Sequence, residues 1–249
     1  MYRLRIRRSP RPATSRSSRE PGAVVTTLDR AAWGLHRGWQ TLLGRKDTEQ
    51  SGQLWATVRS GHPRFVDAVV ADVRITAAHR GDRHEFNSRF DASIQALRLA
   101  IVSDAFLAQV CYRAKAAGQA RGLPLLPRLF HRLAMMTGQI CIGDPVVVQP
   151  GVYIPHGQIV VDGVVEIGRG VVLFPFVTVG LQAGELKGPT VGDRAVIGSG
   201  AKIVGPVRVG ERARVGANAV VLTDVPDDTT VVGIPARPAR AKDDVRPPS

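Results

Sequence analysis

Aliphatic residues recur every six positions through the C-terminal half of the chain. One regular run extends from Ile167 to Val179, and the series resumes in phase twelve positions later at Val191. A small or short branched residue follows most of these positions four places later, and glycine often follows directly. The positions are Ile167, Leu173, Val179, Val191, Ile197, Ile203, Val209, Val215 and Val221.

A period of six disfavours an α-helix, because six residues make about 1.67 turns and would scatter these side chains around the axis. A coil of short flat strands needs this repeat, since one side chain per strand points into a narrow core and glycine fits the corners. The pattern therefore predicts a parallel β-helix of hexapeptide units. Aliphatic residues at the same spacing occur earlier, at Ile142, Val148 and Ile154, and they place the start of the coil near residue 139.

Two departures interrupt this repeat. A one-residue slip coincides with Pro155-His156-Gly157, and a polar stretch over residues 181–189 replaces one hexad. In repeat folds, departures from the period become loops on a binding face. We therefore expect the functional residues at these two places.

Apolar stripes at helical spacing lie upstream of the coil and predict three helices. They cover about residues 66–73, 94–120 and 126–136. Gly122 and Pro124 end the second helix, and Gly138 closes the third. We interpret the stripes as packing faces, whose functional contribution would be to shape one wall of a site.

The expected organisation is α+β, with a helical domain (46–138) followed by the coil domain (139–240). A basic segment (1–45) precedes them and a short tail (241–249) follows. Residues 1 to about 22 are rich in Arg, Ser and Pro without an apolar pattern, so we expect disorder there. The composition also resembles an organelle transit peptide, although a loose tail or a poorly chosen start codon explains it more simply. The absence of an apolar core in this segment disfavours a secretory signal, and no apolar run reaches the roughly 18 residues of a membrane span.

The formal charge of +13 is concentrated before residue 139. Residues 139–240 hold nine Lys or Arg and nine Asp or Glu, and the tail is also balanced. Arg outnumbers Lys by 29 to 5, which indicates biased codon usage as much as a basic surface. No basic stripe interleaved with aromatic residues accompanies the charge, so nucleic-acid binding is disfavoured. A basic N-terminal adaptor for an acidic partner is a further hypothesis.

The cysteines and histidines bear on three kinds of catalytic chemistry: a cysteine nucleophile, a histidine base and a zinc site. Cys111 and Cys141 form no disulfide framework and have no obvious activating base, so we expect buried free thiols in a reducing cytoplasm. His156 is the one histidine of the coil domain and lies at the first departure. A neutral imidazole can take a proton from a hydroxyl near neutral pH, although a solitary histidine is often a surface or packing residue. A zinc site that hydrates carbon dioxide needs about three nitrogen ligands, so no metal is expected.

Several segments resemble bacterial serine O-acetyltransferases over about residues 65–240. They are Tyr112-Arg113 with the stretch from Leu126 to Leu133, then Pro150 to His156, Val177 to Gly180, Ile197 to Lys202 and Val231 to Arg237. The repeat and the final Val-Gly-Ile-Pro-Ala-Arg are shared across hexapeptide acyltransferases and specify only that class. The helical domain before the coil, with one histidine at this corner, narrows the match to the serine enzymes.

The resemblance implies a trimer of left-handed parallel β-helices, or a dimer of such trimers, with active sites between neighbouring subunits. Acetyl-CoA would lie along the groove between two coils, and His156 matches the family's general base. Small residues fall where the family lines the CoA arm, and cations are candidates for the CoA phosphates. These candidates are Gly180, Ser199, Ala201 and Ala217 for the arm, and Lys202, Arg212 and Arg237 for the phosphates. Tight packing of the coil explains the small residues equally well. Lys202 and Arg212 are equally well explained as solvated surface charges.

The chain departs from the family where the acceptor would bind. The family's Asp before the catalytic His is Pro155 here, and a second Asp that orients the base falls at Cys141, unless nearby Asp144 substitutes. An Arg-His pair in the family's loop is replaced by Lys187 and a glycine. Lys187 could still hold a carboxylate as a point charge.

Two further positions bear on the acceptor and on partners. Asp91 aligns loosely with a helical-domain Asp that contacts the amino group of serine. The terminal Ile with which the family docks onto its sulfide-using partner enzyme is absent, because the sequence ends in Pro-Pro-Ser.

These features together predict an acetyl-CoA-dependent O-acetyltransferase that transfers the acetyl group directly to serine or a similar small hydroxylated acceptor. A sugar or a specialised metabolite as acceptor is one alternative. A non-catalytic trimer that binds CoA or acts as a scaffold is the other, and it is motivated by the substituted Asp and His positions.

Overall fold

A computed structural model describes residues 49–183, 185 and 187–239. Within these ranges five helices precede the strands. They are α1 (Glu49–Gly61), α2 (Phe65–Arg80), α3 (Arg89–Val102), α4 (Asp104–Ala120) and α5 (Leu126–Gly138). The expectations for residues 1–45 and 241–249 fall outside the described residues.

Short strands follow the helices and wind into a coil with three faces. The strands are β1 (Ile140–Ile142), β2 (Val147–Val148), β3 (Ile159–Val161), β4 (Val164–Ile167), β5 (Val172–Leu173), β6 (Thr178–Gly180), β7 (Lys187–Val191), β8 (Val196–Ile197), β9 (Lys202–Val204), β10 (Arg208–Val209), β11 (Arg214–Val215), β12 (Val220–Val221), β13 (Thr230–Val232) and β14 (Arg237–Pro238). The first sheet has the order β1-β3-β6-β9-β12, the second β2-β4-β7-β10 and the third β5-β8-β11-β13-β14. Pairing is parallel except between β13 and β14.

The strand register confirms the six-residue period. Val220 pairs with Lys202, eighteen residues earlier, so one turn of the coil takes three hexads. The slip near His156 adds one residue to a turn, because Ile140 pairs with Ile159. The second departure adds six, because Thr178 pairs with Lys202.

The aliphatic residues of the six-residue repeat form the core of the coil, as predicted. All of them between Ile142 and Val221 are at most 4% exposed, and their four-place companions are buried as well. Each such side chain contributes about 1.5–3 kcal/mol when it is fully buried. The same core continues into α4 and α5 through residues such as Tyr112 and Ala134, so the helical and coil segments share one interior.

The prediction of one helix over residues 94–120 is wrong at Ser103. This residue has an extended backbone (φ −142°, ψ 106°), and α3 ends before it while α4 begins after it. The Ser103 hydroxyl accepts a hydrogen bond from the Phe106 N–H (3.3 Å) and caps α4. Serine favours this N-cap position because its side chain satisfies an N–H that has no partner within the helix.

The prediction that the apolar stripe of α3 is a packing face is also wrong for the single chain, because this stripe is exposed. Ile94, Leu97 and Ile101 are 54–75% exposed, and α3 buries Ala92 and Leu99 on its other side. α2 follows the prediction more closely, since Val73 is fully buried. In the part of the chain described above, no helix is long and apolar enough to cross a membrane.

Candidate active site on the first sheet

His156 lies at the corner where the chain passes from the third face of the coil to the first sheet. β5, β8 and β11 pair in register, and Tyr153 bridges to Val172, which extends that register towards His156. The turns after these strands therefore stack into one column. The column comprises His156, Pro175, Ser199 and Ala217. We call it the His156 corner.

The conformation of this corner depends on a close approach to α5. Gly157 has φ +72°, and a Cβ at this position would overlap the carbonyl oxygen of Gly138. The Gln158 N–H donates to the same carbonyl oxygen (2.9 Å). Glycine is required here because other residues pay for a positive φ and for the added atom. The His156 side chain itself is exposed.

The outer face of the first sheet begins at this corner. Cys141, Val160, Thr178, Lys202 and Val220 are paired across neighbouring strands, and they point outward because their neighbours along each strand point into the core. The Lys202 ammonium donates to the Phe176 carbonyl oxygen (2.7 Å), which ties it to the His156 corner. Cys141 is only half-buried on this face, whereas Cys111 is buried as expected; both thiols are free.

The second departure borders the opposite edge of the same face. Gly180 ends β6 and Lys187 begins β7, so the loop between them is shorter than the predicted residues 181–189. Leu181, Gln182 and Glu185 are exposed, as is Lys187. A three-residue strand spans about 10 Å, so the loop and the His156 corner flank a narrow surface.

Two of the CoA candidates are engaged elsewhere. Ala201 is fully buried, with its N–H bonded to Gly198 and its carbonyl to Thr178, so it is a core residue and cannot line a groove with its side chain. Arg212 lies at the corner between the second and third sheets and binds both carboxylate oxygens of Asp228 (2.6 Å each). That hydrogen bonding raises the pKa of Arg212 above its ordinary value. Arg212 is therefore a structural cation in this chain.

The remaining cofactor candidates stay accessible. Ser199, Ala217 and Arg237 are exposed, and Gly180 and Lys202 are half-buried. Arg237 lies on β14, where its guanidinium donates to the Ala236 carbonyl oxygen (3.1 Å). Ser199 and Ala217 belong to the His156 corner and Lys202 adjoins it, while Gly180 lies at the opposite edge of the face.

Asp91 and Asp144 both form ion pairs with basic side chains of this chain. Arg83 binds the two carboxylate oxygens of Asp91 (2.5 and 3.0 Å), and this bond, with a second from the Asn87 N–H, lowers the pKa of Asp91. The carboxylate of Asp144 accepts from the ammonium of Lys115 (3.0 Å), which is 1% exposed. Either carboxylate would have to exchange these partners before it could serve an acceptor or a base.

Comparisons with known proteins agree with this geometry. The family described as "Bacterial transferase hexapeptide (six repeats)" matches residues 188–223. A serine acetyltransferase of Synechococcus elongatus is 37% identical over 153 residues, which cover 60% of this chain and 62% of that protein. A serine acetyltransferase of Helicobacter pylori strain J99 is 40% identical over 134 residues, which cover 52% of this chain and 78% of that protein.

The chain belongs to the serine acetyltransferase family. It spans less than two thirds of the length of the Synechococcus relative and more than three quarters of the Helicobacter one. A solved serine acetyltransferase in complex with CoA has a similar fold, with a TM-score of 0.60, 25% identity and 75% coverage of each chain. Most of the described helices and strands of this serine acetyltransferase family member thus have counterparts in a known structure.

A set of buried polar residues on α4 was not predicted from the sequence. Gln109, Arg113 and Lys115 are at most 2% exposed, and all three donate to backbone carbonyl groups of the coil. A signal was present, because these polar residues lie among Ala108, Cys111 and Ala116 on a helix with an otherwise apolar buried side. Their partners, which are backbone groups, leave no trace in the sequence.

Proposed function

We propose that this protein is an acetyl-CoA-dependent serine O-acetyltransferase with His156 as its general base. The observation that carries the proposal is the placement of an exposed imidazole at a corner of the coil, in one column with Ser199 and Ala217, in a chain of this family. Serine is the acceptor named for the relatives.

The reaction needs one base and no covalent enzyme intermediate. His156 takes the proton from the acceptor hydroxyl as its oxygen attacks the thioester carbonyl carbon. The tetrahedral intermediate collapses with cleavage of the C–S bond, and the imidazolium returns its proton to the CoA sulfur. Backbone N–H groups of the coil are the donors that we assign to the oxyanion. The products are the O-acetyl ester and CoA.

Acetyl-CoA is proposed to lie along the first sheet between the His156 corner and the loop after β6. Gly180, Ser199 and Ala217 offer small surfaces to the pantetheine arm. Lys202 and Arg237 supply positive charge for the phosphates. Ala201 and Arg212 are left out of this assignment because of their buried and paired positions.

We further propose a left-handed coil that assembles as a cytoplasmic trimer, with each His156 at a seam between subunits. Apolar side chains around the corner support an interface there, since Val160, Phe174 and Phe176 are 36–59% exposed in the single chain. Exposed apolar clusters of this kind mark interaction surfaces. We keep 46–138 and 139–240 as the proposed helical and coil domains.

Substrate choice is proposed to depend on Lys187 and Asp91, which retain charges suited to a carboxylate and an ammonium group. Lys187 offers a single point charge where the family resemblance implies an Arg-His pair, so affinity for serine is expected to be modest. Asp91 must exchange Arg83 for the acceptor's amino group. These substitutions make other small hydroxylated acceptors worth assaying beside serine.

The test is a coupled assay of thiol release from acetyl-CoA with a panel of acceptors that includes serine, homoserine, a sugar and a hydroxyl-free control amino acid. We expect turnover with serine and a loss of at least about a hundredfold in kcat for His156→Ala. His131→Ala, which changes a histidine of α5, is the matched control. Full activity in His156→Ala would refute the base assignment. Binding of CoA without turnover for any acceptor would favour the non-catalytic alternative.

A further inference from the structure

The coil turn that leads into His156 is held by side chains from the helices. Its residues 146–153 receive hydrogen bonds or ring contacts from α2 and α4. The Tyr112 hydroxyl donates to the Val146 carbonyl oxygen (3.1 Å), and the His79 ring stacks on Tyr153 with centroids 4.3 Å apart. We call residues 146–153 the approach turn.

One buried ion pair fixes the middle of the approach turn. Asp72 of α2 and Arg113 of α4 are 1% and 2% exposed and form two hydrogen bonds (2.8 and 3.0 Å). Asp72 Oδ1 also accepts from the backbone N–H groups of Gly151 (2.9 Å) and Val152 (3.1 Å). Arg113 also donates to the carbonyl oxygens of Val148 (2.5 Å) and Gln149 (2.8 Å). Four backbone groups of one short stretch thus depend on a single pair.

The pair has the hydrogen bonds that a buried ion pair needs, since both ions are bonded to each other and to backbone groups. Burial raises the pKa of the Asp72 carboxyl, and the Arg113 guanidinium opposes that rise. Asp72 in turn raises the pKa of Arg113. A buried pair of this kind adds little net stability compared with an apolar replacement, so a role in positioning is the better account of it.

A third residue holds the end of the approach turn. The Gln109 amide donates to the Val152 carbonyl oxygen (2.8 Å), while no group in the described part of the chain donates to its side-chain oxygen. On the other side of His156, the Gln158 N–H is bonded to the Gly138 carbonyl oxygen of α5. The backbone is therefore fixed to the helices both before and after His156.

We propose that Asp72, Arg113 and Gln109 are positioning residues that set the location of the His156 imidazole through the approach turn. The inference rests on the proposed function. It explains how the base is placed although Cys141 occupies the position of an orienting carboxylate and Asp144 is bound to Lys115. A shift of about 1 Å in a reacting group can cost about a hundredfold in rate, so backbone placement alone can be decisive.

The test compares kcat and KM in Gln109→Met, which keeps the volume and removes one donor, and in the double variant Asp72→Asn/Arg113→Met, which neutralises the pair. Active sites are counted by calorimetric titration with CoA, so that misfolded protein does not lower the measured kcat. We expect kcat per CoA site to fall by about tenfold in the first variant and about a hundredfold in the second. KM for acetyl-CoA should stay within about twofold.

Gln95→Met is the matched control, because Gln95 is a buried glutamine of α3 whose amide oxygen accepts from Arg98 (3.5 Å) rather than from the coil. Its kcat per CoA site is expected to equal that of the unaltered enzyme. If Gln109→Met retains full kcat per site while the unaltered enzyme is active, the positioning role is refuted and the proposed function stands. If the unaltered enzyme binds CoA without turnover, both fail together. A double variant that does not fold leaves the decision to Gln109→Met.

Discussion

At the scale of single residues, His62 shows how burial determines protonation in this protein. Both ring nitrogens are buried, and neither has a hydrogen-bond partner among the residues that the structure describes. Burial, together with the positive charges of Arg113 and Lys115, lowers the pKa of His62 to about 4. The imidazole is therefore neutral in the folded protein at pH 7.

This shift predicts a loss of stability in acid. The unfolded chain protonates His62 near its ordinary pKa of 6.5, while the folded chain resists until about pH 4. The unfolded state thus binds more protons in this window, and the free energy of unfolding falls as the pH drops from about 6.5 to 4, by up to about 3 kcal/mol from this residue. Urea unfolding at several pH values measures the effect.

Two variants separate His62 from other titrating groups. His62→Leu should flatten the fall between pH 6.5 and 4, and His84→Gln, which changes an exposed histidine, should leave it unchanged. An equally steep fall in His62→Leu would show that another group is responsible.

At the scale of elements, Ser103 divides a continuous apolar stripe into two helices. Because its hydroxyl caps α4, Ser103→Ala should lower the free energy of unfolding by about 1 kcal/mol, and Ser103→Gly by less. Chemical denaturation measures both values. Ser93→Ala within α3 is the control, since the Ser93 hydroxyl bonds to the Arg89 carbonyl oxygen of its own helix and caps nothing. Equal effects at the two serines would contradict the cap assignment.

At the scale of the whole molecule, the exposed apolar corner predicts an assembly. In a trimer with His156 at the seam, Phe176→Glu places a charge in the interface, so we expect a shift from trimer to monomer by light scattering and a loss of activity of at least about tenfold. Thr190→Glu, on the outer face of the second sheet, is the control and should keep the trimer. A monomeric unaltered protein would refute the assembly, and a trimeric Phe176→Glu would place the seam elsewhere.

The period of six predicted most of the coil from the sequence alone, because each repeated aliphatic residue has to fill the same narrow interior. The two departures from that period located His156 and the loop before Lys187 for the same reason: residues out of phase with the core must leave it. The helix boundary at Ser103 was missed, since an apolar stripe continues across a change of direction without a visible break. The exposed face of α3 was missed because periodicity identifies an apolar side without saying what lies against it.

The sequence by itself thus predicted the repeat, the order of helices and coil, and the position of His156 at an interruption of the repeat, all of which follow from spacing along the chain. Only the tertiary structure decided that Ala201 is inside the core, that Arg212 and Asp144 are already paired, and that Asp72 and Arg113 hold the turn before His156. Those facts depend on which backbone groups meet across distant segments. Backbone groups are the same in every residue except proline, so the sequence carries no record of which of them a buried side chain will find.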